Sequence, residues 1–236
     1  MESKPREISS NQLGVHENLL ELVEKYRLSA FQKPIAEHTK KAFESVLAWL
    51  EGYRGDVIID ACCGVGESSL VLAKQYPNAR IIGIDKSSAR LDKHQHYAKH
   101  TGDTENLDSP ANVRVFQADL NDFWRLFAEA LKHNRWSIVR QCLYYPNPYP
   151  KKSQVQKRWH ASPAFASMLA CGQTIEVRSN WLVYLQEFQQ ALSVYNIDSV
   201  IEAVSGSPIT PFERKYSGSG QPCWQLYTLA AGEDKK

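Results

Sequence analysis

The chain has 236 residues, of which 43% are hydrophobic, and carries 28 Lys and Arg against 26 Asp and Glu. That is enough apolar material for one domain with a small appendage at most. A net charge of +2 excludes a generally basic surface, so any nucleic-acid contact has to come from a local patch. No apolar run approaches the roughly 18 residues of a membrane span, and the polar opening MESKPREISSNQ lacks the apolar core of a signal peptide. Five cysteines offer neither a disulfide framework nor zinc spacing, which fits reduced thiols in the cytoplasm.

Residues 1–12 read as a loose tail. Residues 13–26, with Leu19, Leu20, Leu22 and Val23 among polar neighbours, predict a helix. Lys33 and Pro34 break it. A second helix is predicted over 35–50, with Ala36, Phe43, Val46, Leu47 and Leu50 near one face. Gly52 and Gly55 end that helix, so 1–55 reads as tail and helices and 56–236 as the main domain.

Val57, Ile58 and Ile59 then run into Asp60, and Ala61-Cys62-Cys63-Gly64-Val65-Gly66 follows. An apolar β-branched run, a glycine turn and a helix are how an open α/β sheet presents a nucleotide-like ligand at the end of its first strand. The spacing is not that of a dinucleotide site. The third glycine position is Ser69, and Asp60 stands four residues before Gly64. An acid there repels a pyrophosphate and suits a cationic ligand. The pattern resembles motif I of the class I S-adenosylmethionine (SAM) methyltransferases; the competing reading is a glycine turn with no ligand.

Residues 80–85, R-I-I-G-I-D, form the second predicted strand. Asp85 ends it, where an acid accepts from ribose hydroxyls in nucleoside-binding sheets. Ser87 caps a predicted helix reaching about residue 100, and His94, His96 and His100 on it read as surface histidines without a metal ligand set. Residues 112–117 form the third strand. Asp119 follows, in the place where the resemblance puts an acid near the adenine amino group. A helix over 120–133 and a fourth strand over 136–145 complete this part.

After the fourth strand comes Tyr145-Pro146-Asn147-Pro148-Tyr149-Pro150-Lys151-Lys152, and Lys157-Arg158 soon after. Three prolines in five residues impose a stiff, extended exit. Four cations without an intervening acid read as a phosphate-contacting loop, against the alternative of a solvated charged loop. The segment resembles the signature of the tRNA (guanine-N7)-methyltransferase family, F-P-D-P-W-x-K with a basic cluster. Further along, a strand at 173–177, the turn Arg178-Ser179-Asn180-Trp181, the run Thr210-Pro211-Phe212-Glu213-Arg214 and the strand around Trp224 match that family in order. Two family aspartates are amides here, Asn147 and Asn180.

The resemblance implies a Rossmann-like class I methyltransferase, with a mostly parallel seven-stranded sheet and helices on both faces. It implies SAM held by Asp60, Gly64, Gly66, Asp85 and Asp119, and tRNA or another structured RNA as partner. Asn147 and Tyr149 would face the target base, and Lys151, Lys152, Lys157 and Arg158 would hold phosphates. Asn180, Thr210 and Glu213 would help position the substrate. No metal is implied, and the oligomeric state, monomer or homodimer, stays open. Guanine N7 carries a free lone pair, so methyl transfer needs alignment and charge stabilisation, not a base. Because Tyr145-Pro146-Asn147-Pro148-Tyr149 is also similar to the N-P-P-Y signature of amino-group methyltransferases, an exocyclic amine or another base is a second reading. A non-catalytic SAM- or RNA-binding module is a third.

Overall fold

The computed structural model describes residues 8–94 and 110–229. In chain order the elements are α1 (Leu19–Leu28), α2 (Glu37–Leu50), β1 (Asp56–Ala61), α3 (Glu67–Gln75), β2 (Arg80–Asp85), α4 (Ser88–Leu91), β3 (Val113–Gln117), α5 (Leu120–Leu131) and β4 (Ser137–Tyr144). Two short 3-10 turns follow, Lys152–Lys157 and Trp159–Ala161. Then come α6 (Phe165–Cys171), β5 (Ile175–Ser179), α7 (Leu182–Ser193), β6 (Ser199–Ala203), α8 (Pro211–Gly218) and β7 (Trp224–Thr228). Among the described residues no helix is long and apolar enough to cross a membrane. The described residues divide into two compact units, one of residues 32–94, 110–144 and 167–172, the other of residues 8–31, 145–166 and 173–229.

In the first unit four strands run parallel in the order β3-β2-β1-β4. Val57, Ile58, Ile59, Ile81, Ile82 and Ile84 have no exposure, as strands covered on both sides require. Helix α5 buries Leu120, Phe123, Trp124 and Phe127, the spacing of one helical face. Phe123 and Phe127 meet Phe43 of α2 edge-on at 5.5 and 5.6 Å. The Trp124 indole donates to the Gln141 amide oxygen (3.0 Å), and Gln141 donates to the carbonyls of Met168 and Gly172. A buried glutamine thereby binds residues 167–172 to β4, every polar atom of its amide being used.

In the second unit the order is β5-β7-β6, with β7 antiparallel to both neighbours. The seven-stranded sheet is therefore mixed and not purely parallel, β7 being its antiparallel strand. Strand β5 starts two residues later than predicted. Ile175, Val177 and Ser179 alternate inward, which carries the strand through Arg178 and Ser179 instead of stopping at Val177. Helix α1 likewise starts at Leu19, and Leu13 lies fully exposed. The predicted loose tail is anchored by residue 12: Gln12 is 7% exposed and its amide donates to Glu187 at 2.6 Å.

Candidate active site

The cofactor candidates all lie in the first unit. Asp60 ends up without exposure, and its Oδ2 accepts from the hydroxyls of Ser68 and Ser69, both at 2.6 Å. It pins the first turn of α3 under the glycine turn. Gly64 and Gly66 have φ of +61° and +76°, conformations that a Cβ disfavours. A Cβ on Gly64 would meet nothing within 4 Å, so the turn is open above it; one on Gly66 would strike the His94 ring at 2.2 Å.

Asp85 is 2% exposed. Its Oδ2 accepts from Gly64 N at 3.1 Å, and its Oδ1 accepts from Ser87 N at 2.8 Å and from Arg90 at 3.1 Å. The end of β2 thus holds the glycine turn of β1 in place. Asp119 caps α5, accepting from Asn121 N at 2.9 Å. Three acids stand at or just beyond the ends of three neighbouring parallel strands around the glycine turn, with Asp60 buried beneath it. That chemistry fits a cationic nucleoside such as SAM: Asp85 and Asp119 retain lone pairs for hydroxyl and amino donors.

His94 corrects the surface reading. It is 8% exposed, packs on Gly66, and Nδ1 lies 3.2 Å from Val65 O. Burial pushes its ring below the usual imidazole range. His96 and His100 lie outside the described residues. Among the described residues no group of three His, Cys, Asp or Glu side chains could hold a metal ion.

The catalytic and substrate candidates all lie in the second unit. Tyr145 and Tyr149 take left-handed φ of +52° and +45°, which costs a side-chain-bearing residue about 1–2 kcal/mol each. Tyr145 N donates to Arg178 O at 2.9 Å. Asn147 is exposed, and its Oδ1 accepts from Tyr149 N at 3.2 Å, an Asx turn. The turn fixes the amide's orientation, because only the oxygen can face an N–H. Its NH2 group is the half not held by the turn.

Arg158 departs from its reading as a phosphate contact. It has no exposure. Its guanidinium pairs with Glu187 at 2.6 Å and donates to Gln12 Oε1 at 3.0 Å. It also donates to Tyr149 O from Nε and Nη2, at 3.2 and 3.0 Å, and lies 5.0 Å over the Trp181 ring. Glu187 accepts in addition from His16 N and from His160 Nε2, at 2.9 and 3.0 Å. Burying this charge is tolerable only because every oxygen has donors. The left-handed Tyr149 is held by the arginine beneath it.

Lys151, Lys152 and Lys157 are exposed. Lys152 is shared with Glu17 at 2.7 Å, and Lys157 stands 5.8 Å over the Tyr149 ring. Asn180 donates to Gln221 at 3.3 Å. Thr210 and Glu213 serve the scaffold: Thr210 Oγ1 caps α8 by accepting from Glu213 N at 3.0 Å, and the buried Glu213 carboxylate takes Arg178 at 3.0 and 3.3 Å. Burial pushes the Glu213 carboxyl up, against the pull of Arg178. Sequence reading missed Gln12, His16, Arg178 and Glu187. Only Glu187 left a signal, an acid on the face that α7 buries with Tyr184, Phe188 and Ala191.

A parallel half with acids around a glycine turn and a mixed seven-stranded sheet define the Rossmann-like methyltransferase fold. Solved structures agree: the 16S rRNA methyltransferase KamB has a TM-score of 0.53 at 15% identity over 85% of this chain and 98% of that one. The antibiotic-resistance methyltransferase Kmr has 0.51 at 16% identity over 87% and 99%. Residues 54–226 match the family model described as "Putative methyltransferase", Methyltransf_4, and the chain belongs to that family. Relatives named tRNA (guanine-N(7)-)-methyltransferase, from Shewanella woodyi and Pseudoalteromonas atlantica, are each 25% identical, over 76% and 74% of this chain and 75% and 72% of their own.

Proposed function

We propose that this chain is a SAM-dependent tRNA methyltransferase that forms N7-methylguanosine. The observation that carries the reading is a likeness, spanning about three quarters of both chains, to relatives named for that reaction. When bound, SAM supplies the methyl group as a sulfonium electrophile. Asp85 and Asp119 hold its ribose and adenine, and Gly64 and Gly66 let the backbone come close. Asn147 and Tyr149 orient the base, which needs to lose no proton before attack. Lys151, Lys152 and Lys157 take tRNA phosphates.

One observation favours a second reading. The Asx turn commits Asn147 Oδ1 to Tyr149 N, so a donor stands where an aspartate would offer a second acceptor. That suits a base edge presenting an acceptor, as adenine does, or an acceptor on another edge of guanine. Incubation with methyl-labelled SAM and total tRNA, followed by nucleoside analysis, tests the proposal. The expected product is 7-methylguanosine. Label only in N6-methyladenosine or N1-methyladenosine overturns the guanine assignment, and no label overturns the enzyme.

A further inference from the structure

Helix α8 is exposed along most of its length, and what it exposes is selective. Of its three charged side chains, Glu213 is 1% exposed and turned inward to Arg178, whereas Arg214 and Lys215 are exposed. Phe212 is 47% exposed, the one aromatic among the exposed large hydrophobic side chains of the described residues. Its ring lies nearly parallel to that of Tyr216, at 22° and 6.3 Å between centroids. Tyr216 in turn meets Tyr145 at 5.9 Å. Three rings thus run from solvent to the residue that opens the Pro146-Asn147-Pro148 segment.

A phenyl ring held half in water gains nothing from its exposure unless something covers it. The occupant has to suit a flat apolar ring on a helix whose exposed charged side chains, Arg214 and Lys215, are both cations. An unpaired nucleobase meets both conditions: its π-face stacks on the rings, and its phosphate meets the cations. We infer that Phe212 and Tyr216 form a stacking platform for a second unpaired base of the RNA, distinct from the base that is methylated, with Arg214 and Lys215 taking its phosphate. This rests on the proposed RNA substrate. Stacking is indifferent to base identity, because every base has a π-face; the platform therefore reads an unstacked loop, not a sequence.

The test compares wild type with Phe212→Leu and Phe212→Trp by filter binding of total tRNA over a range of salt, with SAM affinity measured alongside. Phe212 is half exposed, so both variants retain the fold, and Leu keeps apolar volume while removing the π-face. The expected result is a loss of about ten-fold or more in tRNA affinity for Phe212→Leu. Phe212→Trp should bind at least as well as wild type. The slope of affinity against salt should be unchanged in both, since no phosphate contact is lost, and SAM affinity should not move. An oligoadenylate of ten residues should compete with tRNA on wild type and on Phe212→Trp. Phe212→Leu equal to wild type, or a slope altered in it, overturns the platform alone. A wild type that binds no tRNA overturns the platform together with the RNA substrate.

Discussion

Arg158 and Glu187 meet at 2.6 Å with neither side chain exposed, and the same guanidinium holds the carbonyl of Tyr149. A buried ion pair is thereby coupled to the left-handed backbone beside Asn147. Removing one partner leaves the other charge buried. Arg158→Ala should destabilise the protein by about 3–5 kcal/mol, read as a fall in Tm of roughly 6–20 °C. The double variant Arg158→Met, Glu187→Leu should recover part of that stability but not methyl transfer, because Tyr149 O keeps no donor. In the tRNA salt titration, neither variant should change the slope. A shallower slope would return Arg158 to the RNA surface.

The same cluster sets a pH dependence. Burial pushes the His160 ring below the usual imidazole range despite Glu187. Burial also raises the Glu187 carboxyl, but His160 and Arg158 outweigh it and hold it down at about 2. Both groups are depressed on folding. The contribution of His160 is complete above its unfolded value near 6.5 and is lost as pH falls below it. That of Glu187 is complete above about 4.3 and lost toward about pH 2. Thermal melts should show Tm falling from pH 7 to 5, and His160→Gln, which keeps a donor to Glu187 and cannot titrate, should flatten that part. An equal fall in the variant would place the dependence elsewhere.

Gly66 and Gly64 separate two costs. Alanine at either position meets a positive φ, worth about 1–2 kcal/mol. At Gly66 it also strikes His94, whereas at Gly64 it meets nothing within 4 Å. Gly66→Ala should therefore lower Tm more than Gly64→Ala, and adding His94→Ala should close the gap. Gly64→Ala should still weaken SAM binding at least ten-fold by filling the space above the turn. Equal melts for the two single variants would contradict the packing of His94 on the turn.

The exposed lysines should act unequally. Neutralising Lys151 and Lys157 should flatten the tRNA salt dependence by roughly 0.7–0.9 log unit per lost contact. Lys152 competes with its Glu17 partner, so Lys152→Ala should cost less than either. Glu17→Ala should tighten tRNA binding. An unchanged affinity on removing Glu17 would show that Lys152 does not contact RNA.

Asn147→Asp keeps the Asx turn and exchanges a donor for a charged acceptor. If guanine is bound by its N1–H and N2–H groups, the variant should methylate it about ten-fold faster, the equivalent of about 1.4 kcal/mol. If the target edge presents an acceptor to the amide, the variant should be slower. Initial rates on tRNA with nucleoside analysis decide between the two, and equal rates would mean that the side chain does not face the base.

The sequence by itself determined β2 to the residue, the acid ending it and the apolar face of α2, because strand and helix periodicity is written in neighbouring residues. It also determined the glycine turn, since Gly64 and Gly66 stand where positive φ is needed. What it could not separate were Lys157 and Arg158, adjacent cations in one basic run. Only the tertiary structure did so. Lys157 stays in solvent over Tyr149, whereas Arg158 is buried on Gln12 and Glu187, 146 and 29 positions away. His94 differed for the same reason, its burial decided by Val65 and Gly66 in the glycine turn. Charge is a property of the residue, but burial depends on partners distant in the chain. A cation's role follows from which carboxylate the fold brings beneath it.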